Sequence, residues 1–351
     1  MDFFDQMAVH DHEQVIAFQN AVTGLRGFLA IHDTTLGPAL GGVRLWPYAS
    51  DEEALADALR LSRAMTYKAS ISELPCGGGK TTILLHDGLK RSEALEGFGR
   101  MIESLHGRYF TARDVNITED DLAAIARGTQ YVGKEPSPEL GDICEHTAVG
   151  VWQGMRACLE FAGITRARVA IQGVGGVGQA LARILHKEQM DLIIADVNAA
   201  RAAEVAKETG ACVVSPDEIL SVECDVLAPC ALGGVMNSAT IAKLKARIVC
   251  GSANNILADA AAGEALARRE VLYAPDYLVN AGGLIRGAEF FLLQRHNSWD
   301  SIERIYPRMR RLIELAREQG ISTARAADQL AESRLKRPKD FRGLFWGKGT
   351  N

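Results

Sequence analysis

The sequence predicts a two-domain α/β protein whose second domain is a doubly wound sheet built to hold a dinucleotide. Three observations carry this. The chain has 351 residues, more than one ordinary hydrophobic core organises. From Val169 onward, short apolar runs alternate with helix-length amphipathic segments, the pattern of a parallel sheet wound by helices. One such run, Val169-Ala170-Ile171-Gln172, leads into Gly173-Val174-Gly175-Gly176-Val177-Gly178 and then into Ala180, Leu181, Ile184 and Leu185 at helical spacing. Strand, G-x-G-x-x-G, helix is the order in which glycines permit the tight turn, the approach of a pyrophosphate and the packing of the helix. The helix N-terminus then holds the anion.

Composition bounds the function. With 47% hydrophobic and 24% charged residues, the chain reads as a soluble α/β protein. A net charge of −5 gives no basic stripe for nucleic acid or an anionic membrane. No apolar run reaches the roughly 18 residues of a membrane span. The start, Met1-Asp2-Phe3-Phe4-Asp5, is acidic and lacks the basic region of a secretory signal. Seven cysteines form no C-x-x-C pair; most read as small buried hydrophobes, in a reduced cytoplasm.

The first domain is expected over residues 1–140. Phe28–His32 reads as a strand, Gly37-Pro38-Ala39-Leu40-Gly41-Gly42 as a glycine-rich turn, and Val43–Trp46 as a return to extended chain. Ser50 and Glu53 match a capping box, so a helix begins near Asp51. Its apolar ladder is Ala54, Ala58, Leu61 and Met65, and the next rung is Lys68. A charge at the inner end of such a stripe either snorkels or aims at an anionic ligand. Next comes Leu74-Pro75-Cys76-Gly77-Gly78-Gly79-Lys80-Thr81, read as an open glycine loop with a lysine at its rim. A P-loop is excluded, because Leu74 stands where its first glycine belongs. Thr81–His86 is a strand. Leu95, Phe98, Ile102 and Leu105 mark an amphipathic helix, and Tyr109–Ala112 is a strand running into Asp114. Thr118 with Asp121 opens another helix. An Asp at a strand end is a turn former or a catalytic carboxylate, and two lysines nearby support the second reading.

The second domain is expected over 141–330, with the segment 331–351 free to pack back on the first. After the glycine turn, the strand Leu192–Ala195 ends in Asp196, 23 residues beyond Gly173. An acid there bonds a ribose 2′-hydroxyl and repels a 2′-phosphate, which favours NAD over NADP. Further strands are Cys212–Val214, Val226–Pro229, Ile248–Cys250 and Val271–Tyr273. Two polar loops follow strands, Gly251-Ser252-Ala253-Asn254-Asn255 and Asn280-Ala281-Gly282-Gly283, where ligands of open α/β sheets bind. From Leu284 to about Arg334 the chain reads as helical, with Leu312, Leu315 and Ala316 on one face, and Lys336-Arg337-Pro338-Lys339 as a solvated loop.

Taken together these stretches resemble the Glu/Leu/Phe/Val dehydrogenase family, most of all its leucine dehydrogenase branch. The matching pieces run in family order over nearly the whole chain: Gly37–Arg44, Met65–Ala69, Gly77–Lys80, Thr111–Val115, Gly173–Gly178, Gly251–Asn255 and Asn280–Gly283. The resemblance implies a first domain facing a Rossmann domain across a cleft that closes to exclude water. It implies reversible oxidation of an L-amino acid by NAD to a 2-oxo acid and ammonia, in a homo-oligomer without a metal. Lys68 then matches the lysine that pairs the substrate carboxylate, Lys80 the catalytic lysine and Asp114 the catalytic aspartate. Gly173, Gly175, Gly176, Val177, Gly178 and Asp196 would bind the dinucleotide, and Thr147, Asn254, Asn255 and Asn280 would lie at the nicotinamide. Leu40, Gly41, Met65 and Ala112 would line the substrate side chain. They are small or apolar, which argues for an uncharged, branched aliphatic side chain over glutamate. An aromatic one differs only by about 1–3 kcal/mol of cavity contacts. Cys76, Thr81-Thr82, Ile143-Cys144-Glu145-His146 and Arg286 depart from the family pattern. Malic-enzyme-like or folate dehydrogenases fit the lysines and Asp114 less well. A silent NAD-binding regulator would be expected to have lost Lys80 or Asp114.

Overall fold

The glycine run Gly77–Gly79 is no loop: it opens a strand, buried from Gly77 to Ile83, at the centre of a sheet. The computed structural model describes residues 2–133 and 139–336. They divide into two units: one holds the described residues up to Gly141, Phe291–Leu293 and those from Ala331, and the other Asp142–Phe290 and Gln294–Leu330.

The first unit contains α1 (Phe3–Ala8), β1 (Gln14–Asn20), β2 (Leu25–Asp33), β3 (Ala39–Trp46), α2 (Asp51–Ile71), β4 (Gly77–Leu84), α3 (Arg91–Glu103), β5 (Tyr109–Arg113) and α4 (Glu119–Ala126). The sheet order is β1-β2-β4-β3-β5, with β1, β2 and β4 antiparallel and β4, β3 and β5 parallel. On one face Leu29, Ile31, Val43, Leu45 and Ile83 meet Leu95, Phe98 and Ile102 of α3 and Leu122 and Ile125 of α4. On the other, α2 lays Leu55, Ala58 and Leu59 against Ala30 and Phe28.

Steric room, not left-handed backbone, explains the glycines, and none of the three has a positive φ. A Cβ on Gly77 would lie 1.8 Å from the Asp33 carbonyl, and one on Gly78 2.1 Å from the Thr66 nitrogen. The same holds at Gly41, 1.7 Å from the Gly79 carbonyl, so Ala39–Gly42 is strand and only the residues before it turn. Helix α2 begins where the capping residues place it: Ser50 accepts from the Glu53 amide, and the Glu53 carboxylate accepts from Ala49. The apolar ladder drifts, however. Ala54 and Ala58 are buried, while Leu61, Met65 and Lys68 are half-buried; the buried stripe runs on through Ser62, Thr66 and Ser70. A ladder of alternating 3- and 4-residue steps falls behind the 3.6-residue turn. Small residues occupy the true contact because Gly78 brings helix and sheet so close.

The second unit runs α5 (Ile143–Ala162), β6 (Arg168–Gln172), α6 (Gly176–Lys187), β7 (Asp191–Ala195), α7 (Ala199–Thr209), β8 (Cys212–Val213), β9 (Val226–Pro229), α8 (Ser238–Lys243), β10 (Ile248–Val249), α9 (Ala260–Arg268), β11 (Leu272–Tyr273) and α10 (Asp276–Val279). Then come α11 (Gly282–Leu293), α12 (Trp299–Glu303), α13 (Ile305–Gln319) and α14 (Thr323–Leu335), the first and last ending in residues grouped with the first unit. The sheet is parallel throughout, in the order β8-β7-β6-β9-β10-β11. That is the doubly wound order, with its switch point between β6 and β9. The expected continuous helix from Leu284 to Arg334 is therefore broken. Gln294 (φ 54°) and Gly320 (φ 62°) end α11 and α13 in left-handed caps. Leu312 and Ala316 are buried as expected, and Leu315 is half-buried. Of the basic stretch, Arg337, Pro338 and Lys339 lie outside the described residues. No helix among the described residues is long and apolar enough to cross a membrane.

Gly78→Ala is the sharpest test of this packing. It should cost about 1–3 kcal/mol or more, read as a lower urea midpoint, whereas Gly175→Ala, with no atom within 4 Å of its Cβ position, should leave the midpoint unchanged.

Candidate active site

Strand pairing sorts the first unit's residues by face. Leu40 pairs Gly78, Arg44 pairs Thr82 and Gly42 pairs Ala112, so Leu40, Gly42, Arg44, Lys80, Ala112 and Asp114 share one side of the sheet. Gly41 is turned to the opposite side, and its carbonyl accepts from the Tyr109 hydroxyl. Gly42 makes room for the carboxylate: a Cβ there would lie 2.8 Å from the Asp114 Cβ.

Lys80, 6% exposed, reaches Asp114 Oδ2 with Nζ at 2.7 Å. Burial holds the Lys80 ammonium below the ordinary lysine range; Asp114 opposes this and Arg44 adds to it. For Asp114, burial alone would raise the carboxyl, but the neighbouring Lys80 and Arg44 outweigh it and hold it below the usual carboxylate value. The site thus keeps the carboxylate ionised and eases loss of the lysine proton.

Arg44 was not expected here. Its Nε donates to Asp114 Oδ2 at 3.0 Å and its Nη1 to Asp57 Oδ2 at 3.0 Å, while Tyr48 Oη also donates to Asp57 Oδ2, at 2.7 Å. The sequence signals are its place at the end of the family-matching stretch Gly37–Arg44 and its position two residues after Gly42, on the same face of the strand. Lys68 and Met65 are half-buried on α2, on either side in sequence of Thr66, which meets Gly78.

The departures from the family pattern have structural partners. Thr81 Oγ1 donates to the buried Tyr109 hydroxyl, and Thr82 Oγ1 donates to the Ala54 carbonyl. Cys76 is fully buried, and burial pushes its thiol up to about 12. His146 stacks on Trp299 at 4.2 Å.

In the second unit the turn Gly173–Gly178 joins β6 to α6 at the switch point. Gly173 is left-handed (φ 89°), a Cβ on Gly178 would lie 2.0 Å from the Gly173 carbonyl, and Gly175 faces open space. Tight turn, close helix packing and open approach are what a pyrophosphate requires. Gly176 and Val177 supply the first turn of α6. At the end of β7, Asp196 Oδ2 accepts from the Val174 amide and Oδ1 from the Asn198 amide, both at 2.8 Å, with Arg201 Nη1 at 3.7 Å.

Asn280, 3% exposed, donates from Nδ2 to the Ser252 carbonyl and to Asn254 Oδ1, while its own Oδ1 is buried without a partner. A buried orphan acceptor beyond the strand ends suits a carboxamide N–H such as that of nicotinamide. Asn254 and Asn255 are exposed, and Asn255 is left-handed (φ 54°). Thr147 donates to the Ile143 carbonyl, and its Oγ1 lies 2.8 Å from the Cβ position of Gly283, so α5 and α11 start side by side. The chain's residues therefore fit a dinucleotide.

Comparison with known proteins agrees. The family model "Glu/Leu/Phe/Val dehydrogenase, dimerisation domain" matches residues 9–131, and "Glutamate/Leucine/Phenylalanine/Valine dehydrogenase" matches 190–334. Leucine dehydrogenase of Geobacillus stearothermophilus is 43% identical, covering 99% of this chain and 97% of that one. L-tryptophan dehydrogenase of Nostoc punctiforme is 41% identical, covering 97% and 98%. The crystal structure of the Nostoc punctiforme enzyme superposes with a TM-score of 0.85 at 41% identity, over 95% of this chain and 98% of that one. With its parallel-sheet second unit, its glycine turn and these full-length matches, the chain belongs to the Glu/Leu/Phe/Val dehydrogenase family of pyridine-nucleotide-dependent oxidoreductases acting on CH–NH2.

Proposed function

We propose that the protein catalyses NAD-linked oxidative deamination of an L-amino acid with an uncharged side chain, branched aliphatic by preference, to the 2-oxo acid and ammonia. The observation that carries this is the pairing of buried Lys80 with half-buried Asp114, an amine with a weakened hold on its proton beside a fixed carboxylate. The leucine dehydrogenase relatives support the aliphatic preference; the tryptophan dehydrogenase relative supports an aromatic side chain as the second reading.

NAD, when bound, would supply the acceptor for the hydride of the substrate α-carbon. The chain's own residues do the rest. Lys68 pairs the substrate carboxylate. Lys80, as free amine, takes a proton from the water whose oxygen adds to the iminium carbon. Asp114 exchanges protons with the substrate nitrogen as the C–N bond breaks and ammonia leaves. Leu40, Met65 and Ala112 face the side chain, with Gly41 contributing backbone alone. Asn280 takes the carboxamide with Thr147, Asn254 and Asn255 around it, and the Gly173–Gly178 turn holds the pyrophosphate. Asp196 selects NAD over NADP by its charge. The dimerisation domain named in the family model supports a homo-oligomer, and seven free cysteines fit a reducing cytoplasm.

Lys80→Ala should lower kcat by about 10²–10⁴-fold while NAD affinity, read by fluorescence titration, stays at the wild-type level; an active variant refutes the role. Asp114→Asn removes the anion that holds the Lys80 proton, so the lysine should titrate at still lower pH than in the wild type, followed by nitrogen-15 NMR of its Nζ. Initial rates of NADH formation with leucine, valine, phenylalanine, tryptophan and glutamate should be highest for the aliphatic pair and lowest for glutamate. Silence across all five favours a regulator.

A further inference from the structure

Two cations share a single oxygen of Asp114. Lys80 Nζ lies 2.7 Å and Arg44 Nε 3.0 Å from Oδ2. Among the described residues, every hydrogen bond to this carboxylate is made at Oδ2, which leaves Oδ1 for another partner. The other arm of the Arg44 fork is anchored in turn. Nη1 donates to Asp57 Oδ2, which also takes the Tyr48 hydroxyl, while Asp57 Oδ1 takes Arg60 Nη2 at 2.6 Å. The anchor is sheltered, with the Asp57 side chain 14% exposed.

We propose that Arg44, pinned by Asp57 and Tyr48, is the positioning residue of the reaction: its planar fork holds Oδ2 of Asp114 on Lys80 and presents Oδ1 to the substrate nitrogen. The inference rests on the roles given above to Lys80 and Asp114. A guanidinium is suited to this because Nε and Nη1 lie in one rigid plane, so bonding at one end fixes the direction of the other. An ammonium is a single point and cannot span Asp114 and Asp57 together.

The charges facing Asp114 give the expected sign. Lys80 comes from β4 and Arg44 from β3; Asp57 stands on α2, with Tyr48 beside it and the buried Tyr109 on β5. Arg44 lowers both Asp114 and Lys80. Removing its charge raises both, and the acid limb of the kcat/KM profile moves to higher pH.

The test uses full-length Arg44→Gln and Arg44→Lys. In Arg44→Gln the Asp114 carboxyl, followed by carbon-13 NMR in the free protein, should titrate about one pH unit higher. The acid limb should follow, and kcat should fall about tenfold to a hundredfold with KM for the amino acid within about threefold. Arg44→Lys keeps the charge, so the carboxyl titration should stay near wild type while kcat still falls. An unmoved Asp114 titration in Arg44→Gln overturns the proposal, as does wild-type kcat in Arg44→Lys, which decides alone if the glutamine variant does not fold. The carboxyl titration needs no turnover. A wild-type protein silent on every amino acid would therefore sink the assigned activity and still leave Arg44's hold on Asp114 open to measurement.

Discussion

A buried ammonium beside a half-buried carboxylate is the constraint around which the first unit is arranged. Lys80 sits mid-strand in a sheet covered on both faces, where an unpaired charge would cost several kcal/mol. Asp114 offsets that cost, and the sheet is shaped to let it do so. Gly42 leaves the space in which the Asp114 side chain lies, and Gly78 lets α2 close over the strand. A side chain at Gly78 would push α2 off the strand, and one at Gly42 would collide with Asp114 itself. The pair stays short because the glycines flank it.

On the proposed function, the second unit solves a different problem, holding an anion and a carboxamide with neutral groups. Its turn at the β6–β9 switch point uses backbone and the start of α6, and it is braced by Asp196 through the Val174 amide. Asp196 thus has a structural duty whatever ribose it meets. The guanidinium of Arg201 stands near the same carboxylate, 3.7 Å from Oδ2. Beyond β10, Asn280 ties the Ser252–Asn254 loop together with its donors and keeps its acceptor in reserve. In each unit, then, one side chain's bonds fix its direction and leave one atom uncommitted: Asp114 Oδ1 in the first, Asn280 Oδ1 in the second.

How far this could be read in the sequence follows from what each signal measures. The G-x-G-x-x-G turn was legible because strand, turn and helix are contiguous, and local spacing fixes their geometry. Lys80 and Asp114 were legible as residue types near glycines and at a strand end. Their 2.7 Å contact is a pairing across three strands, which no local window contains. The Gly77–Gly79 run was misread as a loop because composition reports permissiveness. It does not report whether that permission serves a positive φ or, as here, a close approach between layers. Arg44 and Asp57 escaped for a related reason. Each is an ordinary surface residue in its own segment, and only the sheet and α2 together make them a relay.

The same distinction bears on the substrate. Thr81 and Thr82 face opposite sides of β4 and each donates to a partner within the fold, so neither alters the Lys80 site beyond its packing. Arg286 is the departure with consequences, since a free guanidinium at a side-chain pocket would invite an acidic substrate. The residue is 2% exposed, and its guanidinium donates to the Arg295 carbonyl and lies 4.9 Å over the Phe290 ring. A cation so committed would lose those partners before it met a second carboxylate. The penalty for leaving such groups unpaired exceeds what one methylene contact contributes to selectivity. On the proposed function, rejection of acidic side chains then follows from charge, and is the stronger discrimination. The choice between aliphatic and aromatic follows from volume alone.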